Sequence, residues 1–151
     1  MKGLRATLAF VGLLPWIRGL AHRELHASLA GAIDAAFFSL CHHAPERTLL
    51  LGGDAMCVCS RCAGLYAGVF LAAVWPWRAS PTTLRIVFPA GAALMMADIL
   101  SQDLGLHAPW HPLRLATGAI VGFTATAWML SEVLGSGRRG CHVNRREALA
   151  R

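Results

Sequence analysis

Charge is what this sequence has least of. Only 15% of its residues are Asp, Glu, Lys or Arg, against 56% hydrophobic residues, and the mean hydropathy is +0.50. A soluble domain carries about a quarter charged residues, so the groups needed to cover a water-facing surface are missing. That shortage excludes an ordinary soluble enzyme, a disordered chain and a small disulfide-framework protein. With 151 residues, one compact domain fits and two large ones do not. The composition predicts an all-α integral membrane protein.

Long uncharged runs are also scarce. Four windows lack charge: Ala6–Ile17, Cys62–Trp77, Ile86–Ala97 (continuing past Asp98 to Gln102) and Leu115–Ser131. A membrane-crossing helix needs roughly 20 mostly apolar residues. These windows reach that length only if flanking Arg and Trp side chains extend to the interface. Trp16, Trp75, Trp77 and Trp110 stand near window ends, as an interfacial aromatic belt requires. About four short transmembrane helices are expected. The first reads as an uncleaved helix rather than a signal peptide, because Pro15, Trp16 and Arg18 occupy the place of a small-residue cleavage site. Leu25–Cys41 carries Asp34 at its middle, which predicts an interfacial or re-entrant helix before the cysteines rather than a fifth crossing. Residues 1–135 are expected to form a single membrane-embedded domain, and 136–151 a disordered, basic cytoplasmic tail.

Four crossings divide the cations unequally. Lys2, Arg5, Arg78, Arg85, Arg138, Arg139, Arg145, Arg146 and Arg151 fall on one side, nine in all, and Arg18, Arg23, Arg47, Arg61 and Arg114 on the other. The positive-inside rule then predicts a multi-pass protein of the cell (inner) membrane with both termini cytoplasmic. The net charge of +6 follows from that orientation and calls for a lipid bilayer, not nucleic acid, as partner. Gly64/Gly68 and Gly118/Gly122 are small residues four apart, suited to close helix packing within the bundle or to a homodimer.

Several familiar chemistries are absent. No H-E-x-x-H stands on any segment, and Ala63 occupies the place where a c-type haem motif needs His. Four of the five cysteines instead gather between Cys41 and Cys62, as Cys41-His42-His43 followed by Cys57-Val-Cys59-Ser-Arg-Cys62. The Cys59/Cys62 spacing lets two thiolates meet on one metal ion, and Cys41 with His42 completes a tetrahedral set. Arg61 beside the pair favours the thiolate form. His43, Cys57 and His111 are the additional candidate ligands. Zinc or iron suits this donor set; copper is the runner-up, with Met56, Met95 and Met96 as soft ligands. Two alternatives stay open: disulfides Cys59–Cys62 or Cys41–Cys57, and a redox-active Cys59/Cys62 dithiol.

Asp98 lies inside the third window with Gln102 one turn on, and intramembrane ionisable residues mark sites or internal pairs. If a metal keeps an open position, Asp98 is the candidate general base and Arg114 the candidate clamp for a phosphate or carboxylate. Asp34 and Gln102 are candidates for orienting the ligands. His22/His26 stand i, i+4 at the interface, and Cys141-His142 lies in the basic tail.

Taken together, Cys41-His42-x-x-Pro45-Glu46-Arg47 and Cys59-x-Arg61-Cys62-x-Gly64-x-Tyr66-x-Gly68 resemble the signature of a prokaryotic membrane family known as domain of unknown function 2085. The likeness extends through Asp98-x-x-x-Gln102 and Leu113-Arg114-x-x-Thr117-Gly118. That family commonly has Gln at the place of His43, Pro near that of Cys57 and Asn near that of His111. The resemblance implies a multi-span membrane protein with a Cys/His site and implies no activity. The readings that follow are a Cys/His metal site at the extracytoplasmic helix ends, a membrane thiol–disulfide oxidoreductase, or a metal-handling protein with Asp98 on its path.

Overall fold

The computed structural model describes residues 2–21, 27–41, 45–51, 53–75, 80–106, 108 and 110–149, with side chains in the last helix described through Val133. Five helices and one small hairpin follow in order: α1 (Lys2–Leu20), α2 (Ala27–Phe38), a 3₁₀ turn Pro45–Arg47, β1 (Thr48–Leu51), β2 (Asp54–Cys59), α3 (Ser60–Val74), α4 (Pro81–Asp103) and α5 (His111–Leu149). The protein is helical as its composition predicts.

Local chemistry sets several boundaries. Ser80 caps α4 by accepting the Thr83 N–H at 3.2 Å, and Pro81 occupies the first helical position. Gly105, at φ +70, closes its other end while Leu106 N–H reaches Ser101 O and Gly105 N–H reaches Gln102 O, both at 2.9 Å. That pair of bonds is a Schellman ending. The hairpin pairs Leu51 with Asp54, and Gly53, just before Asp54, takes φ +96. A Gly-Gly loop between apolar runs is a hairpin signal. Strands of only four and six residues leave too short a pattern for alternation to stand out in the sequence.

The number of crossings needs correction. Among the described residues, two helices combine the length and apolarity to cross a membrane: Thr82–Asp103 of α4 and His111–Val133 of α5. α1 is broken by Arg5 and Arg18, and α3 has only 15 residues, about 22 Å of helix against roughly 30 Å of hydrocarbon. The expectation of about four short transmembrane helices therefore comes down to two helices long and apolar enough to cross. α2 has 12 residues, about 18 Å, too short for a fifth crossing. The backbone of α5 runs on to Leu149.

Glycine contacts reveal the helix directions. A Cβ on Gly64 would meet the Leu115 backbone, one on Gly68 that of Ala119 and Phe123, one on Gly118 that of Arg61, and one on Gly122 that of Leu65. Numbers rise together, so α3 and α5 run parallel with backbones in contact along both glycine stripes. Both stripes thus face each other inside the chain. α1 runs against α3: Gly12 meets Tyr66 and Phe70, and Trp16 Nε1–H donates to Ala63 O at 3.2 Å. Trp16 is therefore half-buried between helices, whereas Trp75 and Trp110 are exposed; Trp77 lies outside the described residues. α4 runs against α5, with Arg85 at Glu132, Phe88 on Trp128 and Gly91 near Ile120. Ile86, Leu94, Met96 and Leu100 of α4 stay more than half exposed. An outward face this apolar suits lipid rather than water.

The starts of α3 and α5 and the ends of α1 and α4 consequently share one end of the molecule, together with the hairpin. There Phe37, Cys41, Met56, Cys57, Val58 and Ala63 form the buried cluster, with Trp16, Ile33 and Tyr66 packed on it. Phe37 meets Tyr66 edge-to-face at 5.1 Å.

Candidate metal centre

Three elements deliver the sulfurs. Cys41 follows α2, Cys59 ends β2 and is the residue immediately before α3, and Cys62 lies in the first turn of α3. Their Sγ atoms all lie within 4.8 Å of one another. Zinc–sulfur bonds of about 2.3 Å at tetrahedral angles put sulfurs roughly 3.8 Å apart, so the trio needs only small rotations to converge. Cys41, Cys57, Cys59 and Cys62 are free thiols. The Cys59 N–H donates to Cys41 Sγ at 3.2 Å, a bond that holds a sulfur in place and favours its anionic form.

Electrostatics separate the thiols. Hydrogen bonding from the Cys62 thiol holds Cys59 well below the usual thiol range, at about 5, against the opposing pull of burial; N–H groups of Cys62 and Arg61 at the helix start add to it. Burial pushes Cys41 up, and Cys57 up to about 11. The geometry thus favours the thiolate form at Cys59 over that at Cys41 and Cys57.

The other candidates are distributed as follows. Cys57 is outside the converging set and packs in the cluster with Phe37 and Met56. His22, His26, His42, His43 and His107 lie outside the described residues, as do the side chains of Cys141 and His142. Asp34 directs its carboxylate to Arg18, at 2.9 and 3.0 Å, rather than to Cys41. The core residue of that helix is Phe37; Phe38 is exposed. Asp98 is buried and ion-paired with Arg61, whose Nε–H lies 3.1 Å from Oδ2. Gln102 closes the group, donating to Asp98 Oδ1 at 2.7 Å and accepting from Arg61 at 3.1 Å. A carboxylate so engaged is a structural anion rather than a free base. Met95 is half-buried and Met96 exposed.

Arg114, on α5, is 1% exposed, and its Nε finds no partner; the same holds for Ser60 Oγ and His111 Nδ1 among buried polar atoms. The sequence reading singled out Arg114 but missed Ser60 and the Arg61–Asp98 pairing. For Ser60 the signal was present: Ser60, Gly64 and Gly68 are four apart, as are Arg114, Gly118 and Gly122.

A family model described as predicted membrane protein (DUF2085) matches residues 41–128. An uncharacterised protein of Methanocaldococcus jannaschii is 33% identical over 101 residues, covering 64% of this chain and 65% of its own length. The chain thus spans just under two thirds of that relative. An uncharacterised protein of Methanothermobacter thermautotrophicus is 33% identical over 94 residues, covering 57% of this chain and 80% of the relative. No solved structure matches. The matched region runs from the first clustered cysteine to the middle of α5, more than half the length, and the chain belongs to the DUF2085 family of predicted membrane proteins.

Proposed function

We propose that this membrane protein binds a thiophilic divalent cation, zinc before iron or copper, through Cys41, Cys59 and Cys62 at the extracytoplasmic ends of its helices. The convergence of three sulfurs from three elements within 4.8 Å carries the reading. His42, beside Cys41 in the sequence, is the proposed fourth ligand, closing a structural site with no open position. Such a centre would tie α2 to the hairpin and α3, three short elements with little core of their own. Packing also supports placing α1 and α3 in the membrane beside α4 and α5, since α3 lies backbone to backbone along α5. The excess of cations at the opposite end supports cytoplasmic termini in the cell membrane.

Metal analysis of protein purified from membranes tests this. About one zinc per chain is expected, lost in Cys59→Ser/Cys62→Ser, with cobalt substitution giving thiolate charge-transfer absorption. Metal-free protein that takes up neither ion overturns the reading. One observation favours a second reading, a thiol–disulfide oxidoreductase: the acidic Cys59 at a helix start, followed three residues on by Cys62. It predicts metal-free protein whose Cys59–Cys62 pair cycles with a dithiol reductant.

A further inference from the structure

The glycine seam continues into something that the metal reading does not use. On α3, Ser60 extends the Gly64/Gly68 stripe by one step of four; on α5, Arg114 extends Gly118/Gly122 in the same way. Residues four apart share a helix face. Because Gly64 lies against Leu115 and Gly118 against Arg61, Ser60 and Arg114 face each other at the same level, at the open end of the seam. His111 stands one turn further out on α5. All three carry an unsatisfied buried polar atom: Ser60 Oγ on a residue 0% exposed, Arg114 Nε on a residue 1% exposed, and His111 Nδ1.

A buried guanidinium without a counter-charge is costly, and its neighbours do not neutralise it. Asp98 is occupied by Arg61 and Gln102, and Asp103 by Arg47 at 3.8 Å. Among the described residues, no partner reaches the Arg114 Nε, and no ion pair engages its guanidinium. Thr117, on the next turn, shows the contrast: its hydroxyl is satisfied by Leu113 O at 3.0 Å. The start of α5, at His111, adds the partial positive charge of a helix N-terminus.

We propose that Ser60, His111 and Arg114 form a binding site for a phosphate group, beside the cysteine centre and independent of it. Three donors from two helices suit the separated oxygens of a tetrahedral phosphate better than the two coplanar oxygens of a carboxylate. The site lies at the end of a membrane-embedded bundle, so its phosphate comes either from a phospholipid headgroup or from free phosphate.

The experiment uses full-length protein in detergent: inorganic phosphate titrated calorimetrically into delipidated protein, and phospholipid retained through delipidation counted by phosphorus analysis. Free phosphate as the source gives saturable binding, weakened at least 100-fold in Arg114→Gln and about tenfold in Ser60→Ala, the effect of one hydrogen bond to a charged group. A lipid source gives about one retained phospholipid per chain, released by the same substitutions. Circular dichroism and zinc content are read on every preparation. If Arg114→Gln fails to fold, Arg114→Lys and Ser60→Ala decide, each expected to weaken binding with helicity and zinc unchanged. Neither phosphate nor phospholipid on folded wild-type protein overturns the proposal, as does binding that the substitutions leave unchanged. Loss of zinc in the cysteine variants with phosphate binding intact would leave it standing.

Discussion

Replacing Gly64 by alanine adds one methyl group where two helix backbones touch. A Cβ there would stand 2.9 Å from the Leu115 carbonyl carbon and nearer still to its oxygen, with Leu115 Cα at 3.0 Å. Ordinary contact begins near 3.4 Å. The obstacle is backbone, so no side chain can rotate away, and α3 must move off α5 by about 0.5 Å or more. Overpacking of this kind costs about 1–3 kcal/mol. The upper half of that range applies, because separation also loosens the contacts at Gly68, Gly118 and Gly122. Gly31 of α2 is the control: a Cβ there meets nothing within 4 Å, and alanine gains about 0.5–1 kcal/mol of helix stability. Thermal unfolding in detergent, followed by circular dichroism, should show Gly64→Ala lower by roughly 5–10 °C and Gly31→Ala unchanged or slightly higher. Equal midpoints for the two variants would refute the parallel α3–α5 seam.

Three further outcomes are expected. Asp98→Ala leaves the Arg61 guanidinium, 11% exposed, without its carboxylate; a loss of about 3–5 kcal/mol is expected in the same unfolding assay, largely recovered in Arg61→Met/Asp98→Leu. Metal-free protein should react with iodoacetamide at Cys59 at a rate nearly flat from pH 8 down to about 5 and falling below it. An ordinary thiol instead loses about tenfold per pH unit below roughly 8.5. Since this pKa is depressed, the stability contributed by the thiolate is complete above the ordinary thiol value and disappears as pH falls through about 5. Cys57→Ala should keep its metal while Cys41→Ala loses it, as read by metal content, because Cys57 packs in the apolar cluster and only Cys41 joins the sulfur trio.

Parts of the site were legible along the chain because they are local. Cys59 and Cys62 are three apart, and Asp98 and Gln102 are four apart on one helix, so spacing alone brings them together. Cys41 is different: its approach depends on α2 and on the β1–β2 hairpin, which no spacing around Cys41 reveals. Asp34, a candidate from the sequence for orienting the ligands, is captured instead by Arg18 of α1, since an ion pair across helices outcompetes a neutral thiol. Spacing within one helix is silent about partners on another.

Sequence alone determined the apolar surroundings and the predominantly helical class. With 15% charged residues and 56% hydrophobic ones, water cannot be the only surroundings, and apolar runs in lipid satisfy their backbone as helices. It also determined that thiolate chemistry is available. Tertiary structure decided which helices lean on others, since among the described residues α4 and α5 are the two helices long and apolar enough to cross by themselves. It also decided that Asp98 neutralises Arg61 rather than Arg114, and that the glycine stripes meet within one chain. Each of these depends on which faces come into contact, and contact between distant segments is set by packing, which no local pattern encodes.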